Sequence, residues 1–473
     1  MSSSYQDPRA AASGMSRRGF FRAAGLASTA VAASGLLSGC VGSTPSTSGA
    51  GASASAADAG GDLTVWYWGE QEAPGMKKFM DATVSAYNTA GSDPAGPVKQ
   101  VLQESDTLYT AFRTAAAAKK GPDVQFFWGG TQALEDVWMG NVAPLDDVLP
   151  KEVIEKIPAD SRRETYWNGK QWGLPFYEIN TAFAYNKKMF AKAGLDPEKP
   201  PATWDEFMAA LAALKASGVT PFGAGFKDAY LGGWLVSYFG AQQFDSVEDA
   251  LAPFRGDVAY EGDKYVGWLD RVKEMIDKKY FNDDVLSLDL YQGQQLFESG
   301  RAAITNSVQP QIVQFQRKLG EDTVGVMLSP TWGSGKLATF FPGASQVLTV
   351  TAFSQRKGRA GKFLQHLHSA EPMKAMYADS GAVTPDSGFD PAWLNSPIDK
   401  RMAELKSGLP SIWFQYYYPF PFERDGVTPG VQQLFQGGGS VGAGAKMMQD
   451  AIQKWRKAQG AQVDAYKKWE VLQ

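Results

Sequence analysis

Five segments between Leu63 and Gly130 alternate between strand and helix character, and few folds accommodate that alternation. Leu63-Thr64-Val65-Trp66-Tyr67-Trp68-Gly69-Glu70 is β-branched and aromatic and ends in Gly, which predicts a buried strand. A helical stretch follows from about Gly75 to Tyr87, and Val98 to Gln103 reads as a second strand. Thr107 to Lys119 is an Ala-rich helix closed by Gly121-Pro122, and Asp123 to Gly130 is a third strand with its exit loop. Strands separated by single helices pair in parallel through crossover connections. Ligands of such sheets gather at the carboxyl ends of the strands, where Trp68, Glu70, Trp128 and Gly130 fall.

The residues before this pattern have a different character. Arg17-Arg18-Gly19-Phe20-Phe21-Arg22 precedes a short run of small apolar residues that ends at Cys40, the chain's one cysteine. A cationic flank, a short apolar region and small residues at its end predict an export signal over 1–39. A membrane-spanning helix takes about 20 predominantly apolar residues, more than Ala23 to Gly39 supplies. Arg17-Arg18 resembles the twin-arginine export consensus. Leu37-Ser38-Gly39-Cys40 resembles the lipobox of bacterial lipoproteins, which implies a lipidated Cys40 holding the protein at a membrane surface. Each buried acyl CH₂ contributes roughly 0.8 kcal/mol, so two chains anchor stably. Residues 41–62 are small and polar, a tether with a reach of roughly 25 Å.

The body after residue 62 is long enough for two or three domains of about 150 residues each. The full chain's net charge of −4 and the absence of a basic cluster exclude nucleic acid as a partner. One cysteine allows no intramolecular disulfide. Gly438-Gly439-Ser440-Val441-Gly442 matches the nucleophile elbow literally, but that motif needs a preceding strand and a following histidine. The two histidines, His366 and His368, come earlier in the chain. Ser440 instead reads as the cap of a final helix from Gly442 to Trp455. At spacing i, i+2 on a helix, the histidines point to different faces and bind no common metal. Asp146-Asp147 and Asp283-Asp284 lack the alternation of a calcium loop. Glycoside hydrolysis stays open as an alternative, because its two carboxylates can come from anywhere in a sequence. A cell-surface adhesin without a small ligand is the third reading.

Three runs carry a family resemblance: Gly169-Lys170-Gln171-Trp172-Gly173-Leu174-Pro175, Ala184-Tyr185-Asn186-Lys187, and Pro201-Ala202-Thr203-Trp204-Asp205-Glu206-Phe207. Leu296 to Thr305, Lys362 to Leu367 and Gly381-Ala382-Val383-Thr384-Pro385 extend it in order. The chain resembles the extracellular solute-binding proteins of bacterial ABC importers, in the carbohydrate-binding branch related to maltose-binding protein. That resemblance implies an α/β, two-lobed periplasmic-binding-protein-like fold, each lobe a sheet flanked by helices, joined by crossing hinge segments. Lobe one is expected over 63–175 and 345–408, and lobe two over 176–338 and 409–473. The hinges fall near 174–178 and 338–344, with a return around 409–424.

The same resemblance implies a monomer that binds a small carbohydrate and hands it to membrane permease subunits, with no catalytic residue, metal or cofactor. Sugars present apolar C–H faces and a rim of hydroxyls, which aromatic platforms, carboxylates and amides match. By resemblance, Trp68, Glu70, Trp128 and Glu178 are carried over as ligand residues, with Tyr230 and Trp234 from an aromatic loop of the second lobe. Asn306 is carried over where the chain reads Asn306-Ser307-Val308-Gln309 and lacks the stacking aromatic usual there. Gly343 stands in a hinge lining the cleft, and the aromatics from Trp413 to Tyr418 supply another wall.

Overall fold

A computed structural model describes residues 58–105, 107–228 and 230–471. The export signal, Cys40 and most of the tether lie outside the described residues. The predicted alternation is present: β1 (Leu63–Tyr67), helix Met76–Thr89, β2 (Val98–Leu102), helix Leu108–Ala117 and β3 (Val124–Trp128). β1 pairs in parallel with both β2 and β3. Crossover helices between parallel neighbours bury both faces of the sheet. Accordingly Leu63, Val65, Phe79, Phe112, Phe126 and Phe127 are all buried.

Beyond these come β4 (Val142–Ala143), β5 (Tyr166–Trp167), β6 (Lys170–Gln171), β7 (Leu174–Asn186), β8 (Thr220–Phe222), β9 (Ala302–Val308), β10 (Val324–Met327), β11 (Phe341–Thr351) and β12 (Ser411–Ile412). The strand order is β2-β1-β3-β11-β7-β9-β8, with β4 and β12 on β11 and β10 on β7. Two long strands join the halves. β7 pairs with β11 over Leu174 to Asn180, then with β9 and β10 over Thr181 to Asn186. β11 pairs with β12 through Phe341 and Pro342, and with β3 through Gln346 to Val350. β7, β11 and the segment from Ser411 to Tyr418 are therefore three crossings between two lobes.

The core of the second lobe is aromatic, with Phe183 against Phe222 and Tyr238 at centroid distances of 5.3 and 4.8 Å. Helix Pro397–Lys406, near the end of the stretch assigned to lobe one, packs on helix Gln309–Leu319 and β10. Its Ile398 and Met402 enter a buried cluster with Phe315, Val324 and Val326, which explains that placement.

Ser440 caps helix Val441–Ala458 and accepts from the amide of Ala443 at 3.2 Å. A further helix, Gly460–Lys467, follows, so the capped helix is not the last. His366 packs on Tyr87 at 4.9 Å, whereas His368, at its helix's C-cap, is buried with Nδ1 3.1 Å from Asp386. The end of the expected tether is held to lobe one. Asp58 accepts from the amides of Gly358 and Arg359, at the start of helix Lys357–Leu367. The buried Arg359 guanidinium donates to the carbonyls of Ala59 and Gly96 and pairs with Asp93. Among the described residues, no helix is long and apolar enough to cross a membrane.

Candidate ligand-binding site

The strand ends of lobe one carry an aromatic cluster. Trp128, at the end of β3, lies 5.1 Å from Trp68 and 5.6 Å from Tyr109 between ring centroids. Trp68 is buried, while Trp128 and Tyr109 retain part of their surface. Tyr109 is also anchored at its hydroxyl, which donates to Gln132 at 3.0 Å.

Beside this cluster lies Glu72, in the loop leaving β1. Its Oε2 accepts from the Tyr177 hydroxyl and from the Gln346 side-chain amide, each at 2.9 Å. Oε1 of Gln346 in turn accepts from the Tyr416 hydroxyl at 2.9 Å. Tyr177, Gln346 and Tyr416 belong to the three crossings in turn, so one carboxyl ties all three to lobe one. Burial pushes Glu72 up to about 7, against the two hydrogen bonds that favour its charge.

The close fit around Tyr416 requires glycine. Gly130 has φ +63°, and a Cβ there would stand 1.9 Å from the Tyr416 carbonyl oxygen. The Thr131 hydroxyl donates to the Tyr418 carbonyl at 2.7 Å, fixing the third crossing to helix Thr131–Trp138.

In the third crossing, Gln415 links Tyr230 and Glu423. Gln415 lies against Gly233, where a Cβ would meet its side chain at 2.8 Å. Its Nε2 donates to the Tyr230 carbonyl at 3.2 Å and to Glu423 Oε2 at 2.9 Å. Glu423 opens a π-helical turn, Glu423–Val427, a local geometry frequent at functional sites. It is fully buried, and its Oε1 has no hydrogen-bond partner among the described residues. Burial raises its carboxyl well above the usual range. The lobes also touch directly, where Gln311 donates to the Gln71 carbonyl at 2.6 Å.

The expected ligand residues divide into two groups. Trp68, Trp128 and Tyr230 belong to this assembly. Trp234 sits in helix Leu231–Leu235 instead of a loop and is buried edge-on against Trp413 at 5.3 Å. Glu70 accepts from the amides of Gly75 and Lys77 and so caps helix Met76–Thr89. Glu178 accepts from Lys406 at 2.8 and 2.7 Å.

Asn306 faces Phe183, Phe222 and Tyr238 around an apolar void. Gly343 lets β11 approach Ser411, whose Oγ a Cβ would meet at 2.7 Å. Tyr418 is fully buried and stacked on Phe254 at 5.2 Å. Tyr416 falls in the expected aromatic wall from Trp413 to Tyr418, whereas sequence reasoning missed Glu72, Tyr109, Tyr177, Gln346, Gln415 and Glu423. An open concavity of about 720 Å³ beside Lys215, Asp277 and Lys279 lies apart from all of them at two helix ends of lobe two. Among the described residues, no three His, Cys, Asp or Glu side chains are placed to hold a metal ion.

Residues 69–374 match the family model described as bacterial extracellular solute-binding protein. The chain belongs to that family. A putative binding protein of Brucella abortus is 26% identical over 266 residues, 55% of this chain and 62% of its own length. A maltotriose-binding protein of Pyrococcus abyssi is 23% identical over 313 residues, 64% of this chain and 63% of its own. The matches thus span under two thirds of these relatives.

An sn-glycerol-3-phosphate-binding periplasmic protein of Shigella flexneri is 45% identical, but over 13% of this chain and 12% of its own. Among solved structures, a chitin oligosaccharide binding protein superposes with a TM-score of 0.71 at 23% identity, covering 86% of this chain and 98% of that one. The GacH receptor of Streptomyces glaucescens gives 0.68 at 19% identity, covering 84% and 99%. These likenesses establish the two-lobed fold of extracellular solute-binding proteins for this chain.

Proposed function

We propose that this solute-binding protein captures a small carbohydrate between its lobes and delivers it to an ABC permease, making and breaking no bond. The observation that carries the reading is the Trp68–Trp128–Tyr109 cluster of lobe one beside a buried acid and the Gln346 amide. Such a surface offers flat apolar faces to sugar C–H groups and paired hydrogen-bonding groups to hydroxyls. The names of the maltotriose- and chitin oligosaccharide-binding relatives support the same class. Ligand closes the lobes by binding the closed arrangement more tightly than the open one.

The lobes in this reading are 63–175 with 345–408, and 176–338 with 409–473, with helix Pro397–Lys406 riding on the second. Export and lipidation at Cys40 would hold the protein, as a monomer, on the outer face of the cell membrane. Replacing Cys40 with Ser would then move it from the membrane to the soluble fraction. A thermal-shift and tryptophan-fluorescence screen against mono-, di- and oligosaccharides tests the binding reading, because a ligand selective for the folded state raises the melting temperature by mass action. Recovery of the ligand unchanged is expected. Cleavage of a bound disaccharide would favour the glycoside hydrolase, and no saturable response to any small solute would favour an adhesin.

A further inference from the structure

The three crossings meet at one point. A Cβ placed on Gly343 of β11 would stand 2.7 Å from Ser411 Oγ of the third crossing and 3.2 Å from Asn180 Oδ1 of β7. Gly343 does not have a positive φ, so its missing side chain serves space and not backbone conformation. Asn180 Oδ1 is buried and has no hydrogen-bond partner among the described residues, so steric fit sets the spacing there.

Both long strands also change partners at this point. β7 pairs with β11 through Asn180 and with β9 from Thr181 onward. β11 pairs with β12 through Pro342 and with β7 from Gly343 onward. Hinges are a few such positions that absorb a change in φ and ψ while the pairs on either side stay intact.

On the lobe-one side, one short segment grips all three crossings. Ser161 Oγ donates to Glu178 of β7 at 3.4 Å, and Arg163 donates to the Ser411 carbonyl. Glu164 is wedged against β11 and the third crossing. A Cβ on Gly129 would meet its Oε2 at 2.6 Å, and the Ser345 carbonyl and Tyr416 ring each at 2.9 Å. Thr165 Oγ1 donates to the Gly173 carbonyl at 3.2 Å, just before β7 begins. Arg163, Glu164 and Thr165 are all buried. The crossings therefore belong to lobe one as far as this grip and can turn only beyond it.

We infer that the lobes turn about the Asn180–Gly343–Ser411 contact, whose tight packing sets solute affinity through the balance of open and closed arrangements and not by touching the solute. This rests on the reading above, in which the protein closes on its solute. Apparent affinity is the intrinsic affinity of the closed arrangement scaled by the fraction of molecules that can adopt it. The described arrangement is one in which the lobes touch, with Gln311 on the Gln71 carbonyl. Bulk added at the pivot does not fit this arrangement, and the lobes carry the small displacement outward to their rims.

The test is double electron–electron resonance on the intact chain carrying Cys40→Ser, with spin labels at Ala86→Cys in lobe one and Ala216→Cys in lobe two, both exposed helix positions. Gly343→Ala should shift the mean unliganded distance by about 5 Å. Adding Ser411→Ala, which removes the atom that the new Cβ meets, should restore it. An unchanged distance in a folded Gly343→Ala protein overturns the pivot, as does a shift that Ser411→Ala leaves in place. Calorimetric titration with maltotriose, raffinose and N-acetylated chitotriose gives the second readout. Any of the three that binds the parent should bind Gly343→Ala about tenfold more weakly and the double variant as the parent does. A loss that Ser411→Ala does not recover would make Gly343 a solute contact and overturn its role as pivot. If none of the three binds, the carbohydrate reading fails alone and the distances still decide the pivot. Should Gly343→Ala not fold, as its melting curve would reveal, Ser411→Val crowds the same point from the third crossing, and its distance shift decides.

Discussion

Successive residues of β7 serve opposite faces of the crossing and end in opposite chemistry. On one face, Tyr177 donates to Glu72, which otherwise meets only the neutral amide of Gln346. On the other, Glu178 is clasped through both oxygens by Lys406, with Ser161 and Asn180 nearby at 3.4 and 3.3 Å. Both acids are well covered, with 7% of Glu72 exposed and 10% of the Glu178 side chain. The difference is the cation. A carboxylate matched by a lysine is electrostatically complete and ties elements together. One matched by neutral donors alone keeps its capacity to titrate and to answer a ligand.

The sharpest way to break the ligand face is to move the crossing that closes it. Gly130→Ala adds a Cβ 1.9 Å from the Tyr416 carbonyl at a positive φ, and is expected to cost about 3 kcal/mol or more in chemical denaturation. Gly437→Ala, with nothing within 4 Å, is the control and should be near neutral.

The titration of Glu72 comes next. Its carboxyl rises from 4.5 in the unfolded chain to about 7 in the fold. Between these values the folded state holds a proton that the unfolded state has lost, so stability falls as pH rises. The loss attributable to Glu72 is about 3 kcal/mol across that span, absent below it and complete above it. Denaturation of Glu72→Gln between pH 4 and 8 should lack this component, and a profile parallel to wild type would remove the assignment.

On the opposite face, Lys406→Met leaves Glu178 with neutral partners only. Because Lys406 is 28% exposed, solvent screening holds the expected loss to about 1–2 kcal/mol. Sugar affinity should stay within a factor of about two, since the charge lies behind the sheet. Smallest is Glu70→Ala, which removes a helix cap for about 1 kcal/mol, again without a change in affinity. A tenfold loss of affinity in either variant would abolish the distinction between the faces.

The comparison also explains what the sequence could disclose. Period and punctuation located the first strands and helices to within about three residues, and hinge positions were expected from motifs that resemble a family. Trp68 and Trp128 were expected at the site because ligands of parallel sheets gather at strand exits, and the fold brings their rings together. The roles of the acids were not legible. Glu70 and Glu72 stand in one loop with nothing in their spacing to tell a helix cap from a buried floor. Tyr177 and Glu178 are neighbours whose faces are set by the register of β7 on β11, a long-range pairing. Gln415 and Tyr416 come from the last crossing and Glu423 from the turn after it, far in sequence from the strands of lobe one. Trp234 was expected as a loop platform because its segment resembles the family's aromatic loop, which holds Gly232 and Gly233 here. Those glycines instead let Thr428 and Gln415 approach, and the ring packs inward.

The clasp of Asp58 by the start of helix Lys357–Leu367 has a mechanical consequence. Every contact holding residues 58–60 comes from lobe one, just before the amino end of β1, whereas the aromatic cluster lies at the carboxyl ends of the same sheet. Any leash acting through Asp58 therefore pulls on one lobe alone, at the pole remote from the mouth. Were the other lobe to close on a ligand, it would do so as an unloaded jaw, and tension on the leash would do no work against it.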